Sequence, residues 1–125
     1  MVEAHAVVVA AGRGSRMEDG GPPKQYRLLA GLPVLVRALC TFESAAFITG
    51  VTLVVPPGDE EHCREMLARY GIQKVTAVVP GGAERQDSVR AGLEALAPCE
   101  LVAIHDAARP FLKPEHLEAV VRAAS

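Results

Sequence analysis

Apolar residues fall in four short runs, each closed by glycine, proline or aspartate, with helical spacing in between. Residues 6–11, Ala-Val-Val-Val-Ala-Ala, open the series. This run is valine-rich and too short for an independent helix, which predicts a strand buried on both faces. Residues 51–55, 75–79 and 101–105 predict three more strands, stopped by Pro56-Pro57, by Pro80-Gly81-Gly82 and by Asp106. Between them the period changes. Leu35, Leu39 and Phe42 stand at i, i+4, i+7 behind Pro33, a residue suited to the first turn of a helix, and Gly50 closes that region. Cys63, Met66, Leu67 and Tyr70 repeat the helical face after Gly58-Asp59, with acidic residues in the first turn and Gly71 as the stop. A third helix is expected to turn Val89, Leu93 and Leu96 inward, and a last one, opened by Pro114-Glu115, to bury Leu117, Val120, Val121 and Ala124.

Strands alternating with helices specify βαβ units, hence an α/β, Rossmann-like fold: a mainly parallel sheet with helices on both faces. A length of 125 residues fits one domain, residues 1–125. The fourth run is apolar on both alternating faces, as an interior strand is, yet it is the last strand written. A long apolar edge is a liability. The expectation is therefore an N-terminal portion of a longer domain.

Composition narrows the picture. The chain is 50% hydrophobic with 4% aromatics and no Trp, so Val, Leu, Ile and Ala must build the core. A formal net charge of −2 argues against nucleic acid or a membrane surface as partner. A polyanionic ligand must then meet a local cluster of cations. Cys40, Cys63 and Cys99 are scattered and lack a CxxC spacing, which fits reduced core residues of a cytoplasmic protein. No stretch reaches the roughly 18 apolar residues of a membrane span.

In an open parallel sheet, ligands bind outside the carboxyl ends of the strands. Three of those ends carry unusual chemistry here. The first is Gly12-Arg13-Gly14-Ser15-Arg16, whose bare backbone can form a concave N–H site for an anion, with Arg16 and Lys24 adding charge. The same residues also fit a tight turn and a solvated loop. A dinucleotide fingerprint is excluded, because Met17 occupies the third glycine position; a P-loop motif is absent. The third end holds Gly81-Gly82, which permits close approach of a planar base, and Ser88, either a base-reading hydroxyl or a helix cap. Arg85 is a candidate structural clamp for that loop. The fourth holds Asp106, either a Mg²⁺ ligand or a turn cap, with Arg109 to balance its charge. His105, turned away from Asp106 by strand alternation, is expected to orient the loop rather than act as a base. His5, His62 and His116 read as surface residues.

Together, Ala10-Ala11-Gly12-x-Gly14-x-Arg16-Met17, Pro23-Lys24-Gln25-Tyr26, Gly81-Gly82-x-x-Arg85-x-x-Ser88-Val89-x-x-Gly92-Leu93 and His105-Asp106-Ala107-Ala108-Arg109-Pro110 resemble the 2-C-methyl-D-erythritol 4-phosphate cytidylyltransferase family. The resemblance runs through nearly the whole chain. It implies a fold of the nucleotide-diphospho-sugar transferase type and a reaction between CTP and 2-C-methyl-D-erythritol 4-phosphate. The products are 4-diphosphocytidyl-2-C-methyl-D-erythritol and pyrophosphate, within non-mevalonate isoprenoid biosynthesis. Arg16 and Lys24 match the catalytic cations. Ala10, Ala11, Gly12 and Gly14 match the triphosphate and ribose cradle. Gly82, Ala83, Ser88 and Ala107 match the remaining nucleotide contacts, and Asp106 a Mg²⁺ ligand.

The sequence departs from the family in three ways. The stretch from Met17 to Pro23 is one residue longer, which is expected to leave the loop disordered without nucleotide. Ala83 stands where Asp is frequent. Family chains are about twice as long, so the dimerisation arm, much of the acceptor site and a second metal-binding Asp are expected outside residues 1–125. Full length, the protein is expected to be a cytoplasmic homodimer; the piece alone is expected to bind CTP weakly and be inactive. Two rivals stay open: a cytidylyltransferase for another polyol phosphate, such as ribitol 5-phosphate, and a non-catalytic CTP-binding fragment.

Overall fold

The computed structural model describes residues 4–11, 24–29, 31–95 and 102–106. In chain order the elements are β1 (Ala4–Val9), a 3-10 helix (Lys24–Tyr26), β2 (Leu28–Leu29), β3 (Leu32–Pro33), α1 (Val34–Ser44), β4 (Ile48–Val55), α2 (Glu60–Arg69), β5 (Val75–Pro80), α3 (Arg85–Glu94) and β6 (Val102–Asp106). β2 and β3 form a small antiparallel hairpin. The main sheet is parallel throughout, in the order β5-β4-β1-β6.

Strand alternation sends β1 side chains to both faces. Ala4, Ala6, Val8 and Ala10 meet Leu35, Leu39 and Phe42 of α1 and Cys63 and Leu67 of α2. Val7, Val9 and Ala11 face the other way, with Val54 and Val89 of α3. This is the expected α/β sheet covered on both sides. The helical faces of α1 and α2 are buried as their spacing predicts, and Gly71 follows α2 with a positive φ of 70°.

Several expectations need correction. β1 begins at Ala4 and ends at Val9, two residues before residues 6–11 at each end. β4 begins at Ile48, so Gly50 lies inside the strand, opposite His5, instead of closing a helix. The end of α1 is tied instead to the residues that lead into β5. Lys74 Nζ donates to Ala45 O at 2.7 Å, and the Glu43 carboxylate accepts the Lys74 N–H at 2.9 Å. α3 buries Ser88 and Gly92, while Leu93 is 41% exposed. Gly92 explains this: a Cβ there would lie 2.5 Å from Val7 Cγ1 and 3.0 Å from Val54 Cγ2, so the helix approaches the sheet on its glycine. Finally, Cys63 is buried as expected, but Cys40 is exposed.

His5 also departs from a surface role. It is half-buried in the sheet, with Nε2 3.3 Å from Thr52 Oγ1. Burial lowers its pKa from the ordinary 6.5. His62 is exposed, as expected. Leu96, Cys99, His116 and the last helix lie outside the described residues. Among the described residues, no helix is long and apolar enough to cross a membrane.

Gly92→Val is expected to cost about 1–3 kcal/mol, the usual range for overpacking, read as a lower urea midpoint of the whole protein. An unchanged midpoint would show that α3 can retreat from β1. The lowered His5 pKa fixes a second sign. Its contribution is present above about pH 6.5 and is lost as pH falls toward the folded-state value, because the unfolded chain binds the proton first. His5→Gln is expected to flatten the pH dependence of stability in that range, measured by urea unfolding across pH.

Candidate nucleotide site

The strand order places the site. From β1 the chain adds β4 and β5 on one side, then crosses to the other side for β6. Neighbouring loops diverge at such a switch point and leave a crevice beyond the carboxyl ends. Here the switch point falls between β1 and β6. In register, Val9 is flanked by Val54 and Asp106, so Asp106 stands beside the strand from which Ala10 and Ala11 emerge.

Ala10 is held firmly. Its N–H donates to Val54 O at 2.7 Å, and its carbonyl accepts Gln25 Nε2 at 2.7 Å. Ala11 is in close contact with the end of β5: a Cβ on Gly81 would lie 2.4 Å from Ala11 Cβ and 2.5 Å from Ser88 Oγ. Only glycine lets these two strand ends and α3 meet. The Gly81 N–H donates to Val55 O at 2.8 Å, which keeps it in the sheet's hydrogen-bond pattern.

Ser88 is 2% exposed, and its Oγ accepts the Gly82 N–H at 3.2 Å. It sits in the first turn of α3 but is not the cap. Glu84 precedes the helix, and its N–H donates to Asp87 Oδ2 at 3.2 Å. The Ser88 hydroxyl therefore fixes the glycine turn itself. Gly82 and Ala83 are exposed at that turn.

Asp106 ends β6 half-buried, and His105 lies with its ring 5.6 Å from the Phe42 ring, on the α1 side of the sheet. That is the face shared with Val8, opposite the face that strand alternation gives Asp106. The donor chemistry at Asp106 suits Mg²⁺, which takes one or two carboxylates and fills its shell with water and phosphate oxygens. Among the described residues, no group of three or more His, Cys, Asp or Glu side chains is arranged to hold a metal by itself. Lys24 opens the 3-10 helix. Gly12, Gly14, Arg16, Ala107, Arg109 and the lengthened loop lie outside the described residues.

The residues missed from sequence are those that hold the Lys24 segment. Gln25 is 2% exposed and donates to Ala10, as above. Tyr26 Oη donates to Asp59 Oδ2 at 2.9 Å and lies 3.4 Å from Cys63 Sγ. Its ring meets His62 edge-on, with centroids 5.3 Å apart. Burial, then the contacts with Cys63 and Asp59, hold the Tyr26 hydroxyl protonated well above its ordinary range. Burial likewise pushes the Cys63 thiol up. No periodic signal marks Gln25. Its place inside a Pro-Lys-Gln-Tyr motif was the available clue.

Comparison with known proteins agrees with this geometry. Residues 4–125 match the family model of 2-C-methyl-D-erythritol 4-phosphate cytidylyltransferase. The chain is 58% identical over 125 residues to the bifunctional enzyme IspD/IspF of Desulforudis audaxviator, covering 99% of this chain and 32% of that protein. It is 52% identical over 122 residues to the 2-C-methyl-D-erythritol 4-phosphate cytidylyltransferase of Pelotomaculum thermopropionicum, covering 96% of this chain and 51% of the relative. The solved structure of 4-diphosphocytidyl-2C-methyl-D-erythritol synthase from Anaerococcus prevotii matches with a TM-score of 0.79 at 30% identity, covering 98% of this chain and 50% of that one. The chain thus spans about half the length of those two relatives and less of the bifunctional one. With its motifs on converging strand ends and its family match from residue 4 to residue 125, the chain belongs to the 2-C-methyl-D-erythritol 4-phosphate cytidylyltransferase family.

Proposed function

We propose that the protein to which this chain belongs transfers a cytidylyl group from CTP to 2-C-methyl-D-erythritol 4-phosphate, releasing pyrophosphate. One observation carries the reading: Asp106 ends β6 beside the end of β1, where Ala10-Ala11 emerge, and Gly81, just past β5, packs between Ala11 and Ser88 of α3. The family match and the relatives' names support the acceptor.

The chemistry explains why these residue types are needed. An oxygen of the acceptor's phosphate attacks the α-phosphorus of CTP. A new P–O bond forms there as the bond to the bridging oxygen breaks, and pyrophosphate leaves with that electron pair. The attacking phosphate is already an anion, so no side chain need remove a proton from it. The barrier lies in bringing two anions together and in the negative charge that grows on the oxygens around the transferred phosphorus and on the leaving pyrophosphate. Arg16 and Lys24 are assigned to that charge. The turn at Gly82, set by Ser88, is assigned to the cytosine. Asp106 would hold Mg²⁺, which neutralises triphosphate charge when bound. The lack of a buried acid–base pair in this scheme fits His105's place against Phe42. A cytoplasmic homodimer is the proposed state of the whole protein.

Lys24→Ala and Arg16→Ala are each expected to lower kcat about 100-fold or more in the whole protein, the scale of losing a transition-state donor. The measurement is steady-state pyrophosphate release with CTP and Mg²⁺, against 2-C-methyl-D-erythritol 4-phosphate and ribitol 5-phosphate in parallel. Near-normal turnover in either folded variant would overturn the cation assignment. Preference for ribitol 5-phosphate would overturn the acceptor.

A further inference from the structure

The 3-10 helix that begins with Lys24 is anchored by the two side chains that follow it. Gln25 Nε2 donates to Ala10 O at 2.7 Å and fastens the segment to the end of β1. Tyr26 Oη donates to Asp59 Oδ2 at 2.9 Å and fastens it to the start of α2. Since Lys24, Gln25 and Tyr26 are consecutive, the Lys24 backbone is held from two elements at once.

Asp59 occupies the N-cap position of α2, where a carboxylate ordinarily accepts N–H groups of its own helix. Here it makes no such bond. The Cys63 N–H reaches the Asp59 main-chain carbonyl at 2.9 Å, while the carboxylate reaches across to Tyr26. A residue type suited to a local role has its side chain committed to a contact 33 positions away in sequence. Beside it, Cys63 Sγ lies 3.4 Å from the Tyr26 hydroxyl and the His62 ring packs edge-on against the Tyr26 ring.

A misplacement of about 1 Å at a reacting centre can cost 100-fold in rate. A cation acting on a growing charge is sensitive in the same way. We propose that Asp59, acting through the Tyr26 hydroxyl, is a positioning residue for Lys24 and keeps the 3-10 helix where Lys24 can serve the triphosphate. This rests on the reading of Lys24 as the transition-state cation.

The test is a double-mutant cycle in the whole protein, with kcat, the KM for CTP and Tm measured for each variant. Tyr26→Phe and Asp59→Leu are each expected to lower kcat about tenfold, the scale of one charge-assisted hydrogen bond, with a smaller change in KM. Asp59→Asn keeps an oxygen that can accept the same bond and is expected to recover most of the rate lost in Asp59→Leu. In a Lys24→Ala background, Tyr26→Phe should lower kcat no further; a merely structural loss would persist there. If Asp59→Leu does not fold, Tyr26→Phe, which keeps the ring and its packing, carries the test. Near-normal kcat in Lys24→Ala would overturn the cation reading and this proposal with it. A crippled Lys24→Ala beside wild-type kcat in Tyr26→Phe, or a Tyr26→Phe deficit that persists in the Lys24→Ala background, would overturn the positioning role alone.

Discussion

Strand β1 has no side facing water. Both of its edges are paired, and Val7 and Val8, on opposite faces, are each 0% exposed. The room around it is therefore fixed, and each neighbour must match the side chains it meets. On one face the strand presents mostly alanine, which lets the bulky Leu35 and Phe42 pack close. On the other it presents Val7 and Val9, and there α3 supplies the small residues Ser88 and Gly92. Large on one element meets small on the other, which is how close packing is reached without strain.

The candidate site inherits that fit. Ala11, Gly81 and Ser88 touch because α3 can lie close to the sheet, and the Ser88 hydroxyl then reaches the Gly82 N–H. The same bond that settles the helix shapes the turn assigned to the base. Gln25 works similarly on the other side of Ala10, joining the segment of the proposed cation to the central strand. The chemistry proposed for the ligand and the packing of the core thus rest on the same few atoms at the carboxyl end of the sheet.

Much of this was legible from the chain. The valine runs gave the four main strands, and the spacing of Leu35, Leu39 and Phe42 gave the buried face of α1, because both signals are local. The end of α1 was not legible. Its contacts with Lys74 form only when β5 is laid beside β4. Leu93 misled because hydrophobicity points inward by default, whereas the close approach of α3 is set by the missing side chain of Gly92. The partner of Asp59 was equally out of reach of local reading: its position suits a cap, but Tyr26, 33 residues away, holds its carboxylate.

The sequence by itself determined the fold class, the family motifs and the types of residue at three strand ends, since these follow from local periodicity and from short motifs with a chemical rationale. Only the tertiary structure decided the order β5-β4-β1-β6, and with it the switch point beside Asp106. It alone joined Gln25 to Ala10 and Tyr26 to Asp59. Those pairings depend on which elements become neighbours, and neighbourhood is a property of the packed sheet that no window of sequence contains.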